Sequence, residues 1–456
     1  MKSGYPKASL GGYHSTVSKK HLLPHQIFRE RGKVSIMYHC SLERMSDKIH
    51  TFSKFGDAGH GGITRYALSA EDKMARDEWV KRMTAIGATI EMDDLANMYA
   101  TIPGSDPNAK RIVMGSHCDS VKNGGNYDGI LGVMSAMEVL ETVHEKQIPH
   151  KHPLTAMIWT NEEGSLYPPA MMCSGIVCYD YLPEDIRVKF AYDDMMQSKS
   201  ILDGKSTFGE ALAKSGFQGD RKYRLNPEQY QYMFETHIEQ GPILEDAGND
   251  IGVVDCVLGM FNYRIQFYGQ TTHAGTFPMP KRKDALYAAS EALCYLHQEI
   301  DKLGYSDLVY TTGEIVCHPC VHTCVPDFVD FSFDARHEDP KVLEQVLAIV
   351  KSCADKEWHG CTCKVEKAWN RDTVYWDKKL VGYVKAAAEE CGISHQYIHS
   401  GAGHDAQFAS YMLPTTMIFV QSKDGLSHCE PEYSKPEHCT EGATVMLNAV
   451  LRAEKD

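Results

Sequence analysis

The sequence lacks an apolar run long enough to cross a bilayer, and it lacks an excess of basic residues. A membrane-spanning helix needs about 20 mostly apolar residues in a row. Binding to nucleic acid or to an anionic membrane needs a basic surface. Because the formal net charge is −14, we expect neither partner. A local basic pocket for an acidic substrate remains compatible with this charge.

The 15 cysteines lack the spacing of a disulfide framework or of a zinc ribbon. Cys317/Cys320 and Cys361/Cys363 are isolated pairs without a second half. The polar and basic stretch from Met1 to Lys20 lacks the apolar core of a cleavable signal. We therefore expect a reducing compartment, mostly buried free cysteines and a cytoplasmic protein.

The chain is long enough, at 456 residues, for more than one domain. Residues 1–36 show no sustained hydrophobic period, which predicts a flexible N-terminal extension. Further on, strands and helices alternate: Arg111–Gly115 and Leu154–Trp159 are apolar strands, and Gly129–Glu145 is an amphipathic helix between them. This alternation predicts an α/β catalytic domain with a mostly parallel sheet and helices on both faces.

The sequence pattern changes near residue 248, where helices and half-buried strands suggest a smaller α+β domain. We expect this domain to be inserted over 248–369, so that the catalytic domain comprises 37–247 and 370–456. The expected elements of the insertion are the strands Ile251–Val257, Tyr263–Phe267 and Val329–Asp334 and the helices Lys283–Leu303 and Pro340–Asp355.

Several side chains have the chemistry to hold a pair of divalent ions: His117, Asp128, Glu163, His237 and His404. Imidazole and carboxylate ligands suit Zn²⁺ and leave Mn²⁺, Co²⁺ or Ni²⁺ open. Asp128 ends a glycine-rich turn, and one carboxylate shared by two ions can hold them about 3.5–4 Å apart. Asp119, two residues after His117, is placed to accept a hydrogen bond from that imidazole.

Each of these residues also has an ordinary explanation. Most of the 22 histidines are expected at the surface, Glu162-Glu163 could start a solvated helix, and Asp128 could form a turn. The joint pattern favours a metal site, because a His-x-Asp and a Glu-Glu both close apolar strands and the glycine-rich Asp turn lies between them. It does not name the reaction. Successive side chains of an extended segment point opposite ways, so Glu163 could bind metal while Glu162 acts as general base.

Longer motifs then resemble the hydantoinase/carbamoylase branch of the M20 metallopeptidase clan. This branch includes N-carbamoyl-L-amino acid hydrolases, yeast-type β-ureidopropionase and allantoate amidohydrolase. The resemblance runs from about residue 40 to the C-terminus. The matching segments are Gly115–Ser120, Asn123–Val133, Thr160–Ser165, Thr236–Glu245, His273–Met279, Phe333–His337, Ser400–Ala406 and Ile418–Ser422.

The resemblance implies two ions bridged by Asp128, with His117 and His237 at one and Glu163 and His404 at the other. It implies Glu162 as the base. It also implies that the inserted domain forms a homodimer and closes as a lid.

On this resemblance His273 would stabilise an oxyanion on the substrate of the neighbouring subunit. The alternative, a histidine that packs locally at a strand end, requires a monomer.

Substrate contacts follow from the same resemblance. Arg336 would pair with the substrate carboxylate, the alternative being a surface salt bridge with Glu338 or Asp339. Gln240 would hydrogen-bond the ureido group or the carboxylate, and His428 lies in a motif near the rim of the site. Two positions depart from the family pattern: Thr323 stands where an asparagine is usual, and Phe261 where an arginine is frequent.

The implied activity is hydrolysis of the carbamoyl C–N bond of an N-carbamoyl amino acid or a related ureido acid. The alternatives are an allantoate amidohydrolase, a dipeptidase or aminopeptidase of the wider clan, and a non-catalytic binding protein on the same scaffold.

Overall fold

The computed structural model describes residues 25–30 and 33–456 of the chain. Most of the extension predicted over 1–36 therefore lies outside the described residues. In its last part, His25–Glu30 and Lys33–Tyr38 pair as an antiparallel two-stranded sheet. Regular structure within the described residues therefore begins at His25, before the predicted boundary at residue 36. The sequence pattern did not indicate these strands, because backbone pairing of two strands does not require a sustained hydrophobic period.

The strands are numbered in chain order. They are β1 (His25–Glu30), β2 (Lys33–Tyr38), β3 (Thr89–Met92), β4 (Met98–Ile102), β5 (Arg111–His117), β6 (Leu154–Trp159), β7 (Tyr230–Ile238), β8 (Ile251–Val257), β9 (Gly259–Tyr268), β10 (Val309–Thr311), β11 (Ile315–His318), β12 (Phe328–His337), β13 (Thr362–Arg371), β14 (Val374–Tyr375), β15 (His395–Ser400) and β16 (Thr415–Val420).

The α-helices follow the same numbering. They are α1 (Leu42–Phe52), α2 (Ala70–Ala85), α3 (Ile130–Lys146), α4 (Met172–Val177), α5 (Glu184–Arg187), α6 (Tyr192–Met196), α7 (Phe208–Ser215), α8 (Ile243–Ala247), α9 (Ala285–Asp301), α10 (Pro340–Ser352), α11 (Lys378–Cys391), α12 (Asp405–Ala409) and α13 (Pro436–Ala453).

A large sheet has the strand order β14–β8–β16–β7–β5–β6–β4–β3, with β15 paired to β8 off this path. Its central strands β16, β7, β5 and β6 run parallel to one another. The outer strands pair antiparallel with their neighbours, apart from β15, which is parallel to β8. The predicted α/β class with a mainly parallel central sheet is confirmed.

The central strands are covered on both sides by apolar packing. Every residue of β6 is buried, as is β5 apart from its first residue. This continuous burial is typical of parallel strands. Helix α3 packs against β5 and β6 and also against α13, and most of its residues are buried. The start of α3, at the Asp128 turn, is therefore held firmly against the sheet.

A second, antiparallel sheet has the order β10–β12–β9–β13, with β11 also paired to β12. Helices α9 and α10 pack on it around a separate hydrophobic core. One prediction was wrong here: Ile251–Val257 was assigned to the insertion, but as β8 it pairs with β15 and β16 of the large sheet. The second sheet therefore begins at Gly259 and ends at Arg371. The apolar run of β8 indicates a buried strand but does not reveal which sheet the strand joins.

All 15 cysteines are free, and most are buried. This confirms the prediction of free, buried cysteines, while the cytoplasmic location stays a prediction. Within the described residues, no helix is long and apolar enough to cross a membrane.

Candidate metal centre

The candidate site lies at the carboxyl ends of the four parallel strands. His117 ends β5, His237 is next to last in β7, and the segment carrying Glu162 and Glu163 follows β6. His428 lies in the loop after β16. Parallel strands meet at one edge of the sheet, so side chains far apart in sequence converge there.

The first group of donors brings together three residues of the predicted cluster. Oδ1 of Asp128 lies 3.4 Å from Nε2 of His117 and 3.3 Å from Nε2 of His237. The other ring nitrogen of each histidine faces a backbone carbonyl, that of Asp119 at 3.0 Å and that of Ile238 at 2.9 Å. Because a carbonyl only accepts, both Nδ1 atoms carry a proton, so Nε2 is the nitrogen of each ring that faces Asp128 and could bind a metal.

The role predicted for the Asp119 side chain was wrong. Its carboxylate oxygen Oδ1 is 3.9 Å from Nδ1 of His117, and it is the backbone carbonyl that holds the ring. The carboxylate instead accepts hydrogen bonds from the backbone N–H groups of Glu162 at 3.2 Å and Glu163 at 3.1 Å. These buried N–H groups would otherwise lack a partner, so Asp119 fixes the turn after β6.

The second group contains a residue that the sequence analysis had placed elsewhere. Nε2 of His428 lies 3.2 Å from Oδ2 of Asp128 and 3.7 Å from Oε1 of Glu163. That Glu163 oxygen is buried and has no hydrogen-bond partner in the described part of the chain. Asp128 therefore faces a histidine pair with one oxygen and the Glu163–His428 pair with the other.

His404, predicted as the last metal ligand, occupies a different position. It precedes α12, its ring packs 4.7 Å from that of His237, and its Nε2 lies 2.8 Å from Oγ of Ser400. The predicted grouping of His404 with Glu163 is corrected: His428 stands beside Glu163. The motifs could not show which histidine stands beside Glu163, because this depends on the path of the loop after β16.

The segment carrying the two glutamates is folded, not extended as expected. Asn161 has a φ of 59°, a left-handed conformation, and the Asp119 carboxylate caps the turn. The carboxylates of Glu162 and Glu163 consequently both lie close to His117, with their ligand atoms within 4.8 Å of one another. The argument that they point opposite ways is therefore wrong, although their separate roles remain open to test.

Glu432 holds the centre together and was missed in the sequence. Its Oε1 accepts from the backbone N–H groups of Tyr127 at 2.9 Å and Asp128 at 3.1 Å. Its Oε2 lies 3.0 Å from Oγ of Ser427 and accepts from N–H of His428 at 3.3 Å. The carboxylate thus joins the Asp128 turn to the His428 loop. The four-residue spacing of His428 and Glu432 was the available signal.

Negative charge is concentrated at the site. Burial, followed by the neighbouring carboxylates of Asp405 and Glu163, raises the pKa of Glu162 well above its usual range, against the opposing effect of His117. Burial and the charge of Asp128 raise the pKa of Glu163 to about 7. The pKa values are raised because several carboxyl groups are crowded in a buried site, and divalent cations relieve this crowding, so the donor set fits metal ions.

The glycines of the Asp128 turn make room for the centre. A Cβ on Gly129, whose φ is +65°, would lie 2.2 Å from Nε2 of His117. A Cβ on Gly125 would lie 2.1 Å from the Glu432 carboxyl carbon. Both positions therefore require glycine for the close approach of backbone to side chain.

A cavity of about 780 Å³ opens beside the centre, between the large sheet and the inserted sheet. Gln240, Arg336 and His428, three of the residues for which substrate contacts are expected, all contribute to its lining. Nε2 of Gln240 donates to Oδ2 of Asp128 at 2.7 Å, and its buried amide oxygen has no partner among the described residues. That oxygen therefore lacks the hydrogen bond that a buried amide oxygen normally accepts.

Arg336 extends from β12 towards the large sheet. Its Nε donates to Asp334 at 2.9 Å and its Nη1 donates to the carbonyl of Gly401 at 2.6 Å. The surface salt bridge considered with Glu338 or Asp339 is not formed, since Asp334 takes that place.

His273 and Thr323 lie together in the inserted domain, away from this cavity. The N–H of Ala274 donates to the carbonyl of Thr323 at 2.8 Å, and His273 pairs with Cys324 in an isolated bridge. His273 is exposed, and neither it nor Thr323 is among the described residues that line the cavity. Phe261, the second departure from the family pattern, is buried in the core of the inserted domain.

Comparison with known proteins places these observations in a family. Residues 113–452 match the model of Peptidase family M20/M25/M40. The chain is 34% identical to an N-carbamoyl-L-amino-acid amidohydrolase of Rhizobium meliloti, over 90% of this chain and 95% of that protein. It is 31% identical to an allantoate amidohydrolase of Bacillus subtilis (strain 168), over 93% of this chain and 99% of that protein. A crystal structure of an amidase of the hydantoinase/carbamoylase family from Burkholderia multivorans matches with a TM-score of 0.81 and 36% identity, over 92% of this chain and 99% of that chain.

A mainly parallel sheet gathers histidines and carboxylates at its carboxyl edge, and amidohydrolases match the chain over nearly its whole length. Together these findings define the chain as a metal-dependent hydrolase. The chain belongs to Peptidase family M20/M25/M40. The resemblance to the hydantoinase/carbamoylase branch is confirmed by the structural match.

Proposed function

We propose that this enzyme hydrolyses the carbamoyl C–N bond of an N-carbamoyl amino acid or a related ureido acid, releasing the amino acid, CO₂ and ammonia. The observation that carries the proposal is the position of Asp128 between two groups of donors, at the wall of a cavity that also presents Arg336 and Gln240. The relative from Rhizobium meliloti, whose name states this activity, supports it.

The donors suit two divalent ions, with Zn²⁺ first and Mn²⁺, Co²⁺ or Ni²⁺ as alternatives. Asp128, His117 and His237 would hold one ion, and Asp128, Glu163 and His428 the other. Such ions supply Lewis-acid polarisation of a carbonyl and lower the pKa of water.

Glu162 is the proposed general base. It is buried beside His117, with Oε2 3.7 Å from Nε2 of that ring. Its carboxylate would take a proton from the attacking water and return it to the leaving nitrogen. The turn held by Asp119 keeps the carboxylate at this position.

Arg336 and Gln240 orient the substrate. The Arg336 guanidinium would bind the substrate carboxylate, because its planar donors match a carboxylate in a bidentate pair. The free amide oxygen of Gln240 would accept from a ureido N–H. Both groups face the cavity from opposite sheets, so a bound substrate would connect the two parts of the protein.

We also propose a homodimer formed through the inserted domain. His273 is exposed and lies outside the cavity lining, which is the position expected if it completes the site of a neighbouring subunit. There its imidazole would stabilise the oxyanion that develops on the carbamoyl carbonyl. Thr323, joined to the same segment, would adjust the substrate contact.

An allantoate amidohydrolase is the second candidate. It is favoured by the similarity to the Bacillus subtilis relative, whose coverage is as complete as that of the carbamoyl amino acid relative. Ammonia release from allantoate, measured beside release from N-carbamoyl-β-alanine and N-carbamoyl-α-amino acids, distinguishes the two.

The deciding experiment is a substrate panel on Zn²⁺- and Mn²⁺-loaded protein with Glu162→Gln. We expect turnover of a ureido acid by the native chain and a loss of kcat of about 10²–10⁴-fold in the variant, with bound metal retained. Glu344→Gln, an exposed glutamate of α10, is the matched control and should keep full activity. Near-normal turnover by the Glu162 variant removes it from the mechanism. Release of amino acids from dipeptides without activity on any ureido acid contradicts the proposal, as does complete inactivity of the metal-loaded chain.

A further inference from the structure

We propose that Asp255, Cys256 and His399 form a third cation site, separate from the metal centre and suited to Zn²⁺ or a similar borderline-soft divalent ion. The three residues lie where β8 and β15 run side by side, next to the inserted sheet. This inference does not depend on the reaction proposed above.

A β-bulge assembles the donors. In the pairing of β8 with β15, Val254 is opposite Ile398 and Cys256 is opposite His399, so Asp255 is an extra residue on β8. In a regular strand Asp255 and Cys256 would point to opposite faces. A bulge places two residues opposite one and re-aims a side chain, so both donors can reach the same histidine.

The donor atoms lie close enough together to reach one ion. Oδ1 of Asp255 lies 2.6 Å and Sγ of Cys256 lies 3.4 Å from Nδ1 of His399, and the three donor atoms all lie within 4.8 Å of one another. Tetrahedral zinc with bonds of about 2.0–2.3 Å separates its ligand atoms by about 3.3–3.6 Å. The distance from Sγ to Nδ1 falls in this range, whereas the 2.6 Å contact between Asp255 and His399 is a hydrogen bond that an incoming ion would replace. Binding would release the thiol proton of Cys256 and any proton on Nδ1.

The surroundings complete the site. Oε2 of Glu338 lies 3.4 Å from Nε2 of His399. A metal-bound histidine usually donates its second N–H to a carboxylate, and Glu338 is placed to accept it. The side chains of His399 and Glu338 are 38% and 39% exposed and line the cavity, which gives an ion a path of entry. Cys256 is buried, so its sulfur would be shielded once bound.

The position of the site connects it to the substrate cavity. Glu338 lies two residues after Arg336 in the inserted domain, and His399 lies two residues before Gly401, whose carbonyl accepts from Arg336. An ion at His399 would therefore stabilise the junction that positions the Arg336 guanidinium.

Cobalt titration tests the proposal, because the metal centre has nitrogen and oxygen donors only. We expect wild-type protein loaded with Co²⁺ to show the near-ultraviolet charge-transfer band of a thiolate–cobalt bond. Cys256→Ser should lose this band and bind one equivalent of Co²⁺ less than wild type. Cys429→Ser, next to His428, is the matched control and should keep both.

A second variant distinguishes loss of the cation site from misfolding caused by replacement of the buried Cys256. His399 is partly exposed, so His399→Gln should fold and should also lose the band and one equivalent of Co²⁺. Absence of the band in wild type, or its retention in Cys256→Ser, overturns the third site.

Discussion

At the residue scale, Asp128 determines the arrangement of the whole centre. One of its oxygens faces His117 and His237, and the other faces Gln240 and His428. Burial opposes ionisation of this carboxyl, but the adjacent histidines hold its pKa well below its usual value. It is therefore an anion placed between two groups of donors, which is the requirement for a bridging ligand.

The assignment of His428, in place of His404, as the histidine ligand beside Glu163 leads to a direct prediction. Because Nε2 of His428 lies beside Asp128 and Glu163, whereas Nε2 of His404 lies against Ser400, His428→Ala should remove about one equivalent of metal. His404→Ala should retain the wild-type metal content in the same elemental analysis. The opposite pattern would restore His404 as the ligand and refute this assignment.

At the element scale, the site depends on how strands end and helices begin. The turn from residue 123 to residue 129 passes beneath the His117 ring before α3 starts. The loop after β16 brings His428 to the same place, and the Glu432 carboxylate joins the two segments. These connections are short and hydrogen-bonded, so the donors are positioned before any ion arrives.

Gly129→Ala tests this packing. The added Cβ would lie 2.2 Å from Nε2 of His117, so we expect the imidazole to move and metal affinity to fall at least tenfold. Gly87→Ala is the matched control, because its φ is +80° but nothing lies within 4 Å of the added Cβ. The control should lose only the stability associated with a left-handed residue, about 1–2 kcal/mol, and keep its metal. Equal loss of metal in both variants would show that backbone strain, and not the contact with His117, is responsible.

At the scale of the whole molecule, two hydrophobic cores meet at the substrate cavity. Arg336 of the inserted sheet contacts Gly401 at the edge of the large sheet, and the cavity is lined from both sides. Relative movement of the two parts would change the position of the guanidinium with respect to the metal centre. The relative position of the two sheets thus decides whether Arg336 and the metal centre can contact the same substrate.

Metal removal should destabilise the protein as a whole. The centre buries Asp128, Glu162 and Glu163 close together, and bound cations offset their mutual repulsion. Exhaustive chelation should lower Tm by several degrees, consistent with about 4 kcal/mol for a ligand at a thousand times its Kd. In Asp128→Asn, calorimetry should show little further effect of the chelator. An unchanged Tm in the chelated native chain would indicate that the centre binds no structural cation.

Subunit mixing tests the proposed dimer. If His273 acts on the partner's substrate, a mixed dimer of Glu162→Gln and His273→Ala subunits contains one intact site. Random exchange should then restore about a quarter of wild-type activity from two inactive proteins. Recovery is measured after mild dissociation and reassociation. No recovery, with mixed dimers verified by mass, would place His273 in its own subunit's site or outside the mechanism.

Local sequence patterns were sufficient for several elements. The apolar segment Leu154–Trp159 occurs as a strand with the predicted bounds, and the helix predicted over Gly129–Glu145 is observed over Ile130–Lys146. Strand β8 was recognised as a strand but assigned to the wrong sheet, because an alternating pattern records one buried face and not the identity of the partner.

The sequence by itself determined the class of fold, the family and most of the candidate donors, since these follow from periodicity and from residue types at strand ends. Only the tertiary structure decided that His428 and not His404 stands beside Glu163, that the carbonyl of Asp119 and not its carboxylate holds His117, and that Asp255 and Cys256 share His399. The physical reason is that these outcomes depend on loop paths and on a single-residue bulge, which no local pattern records.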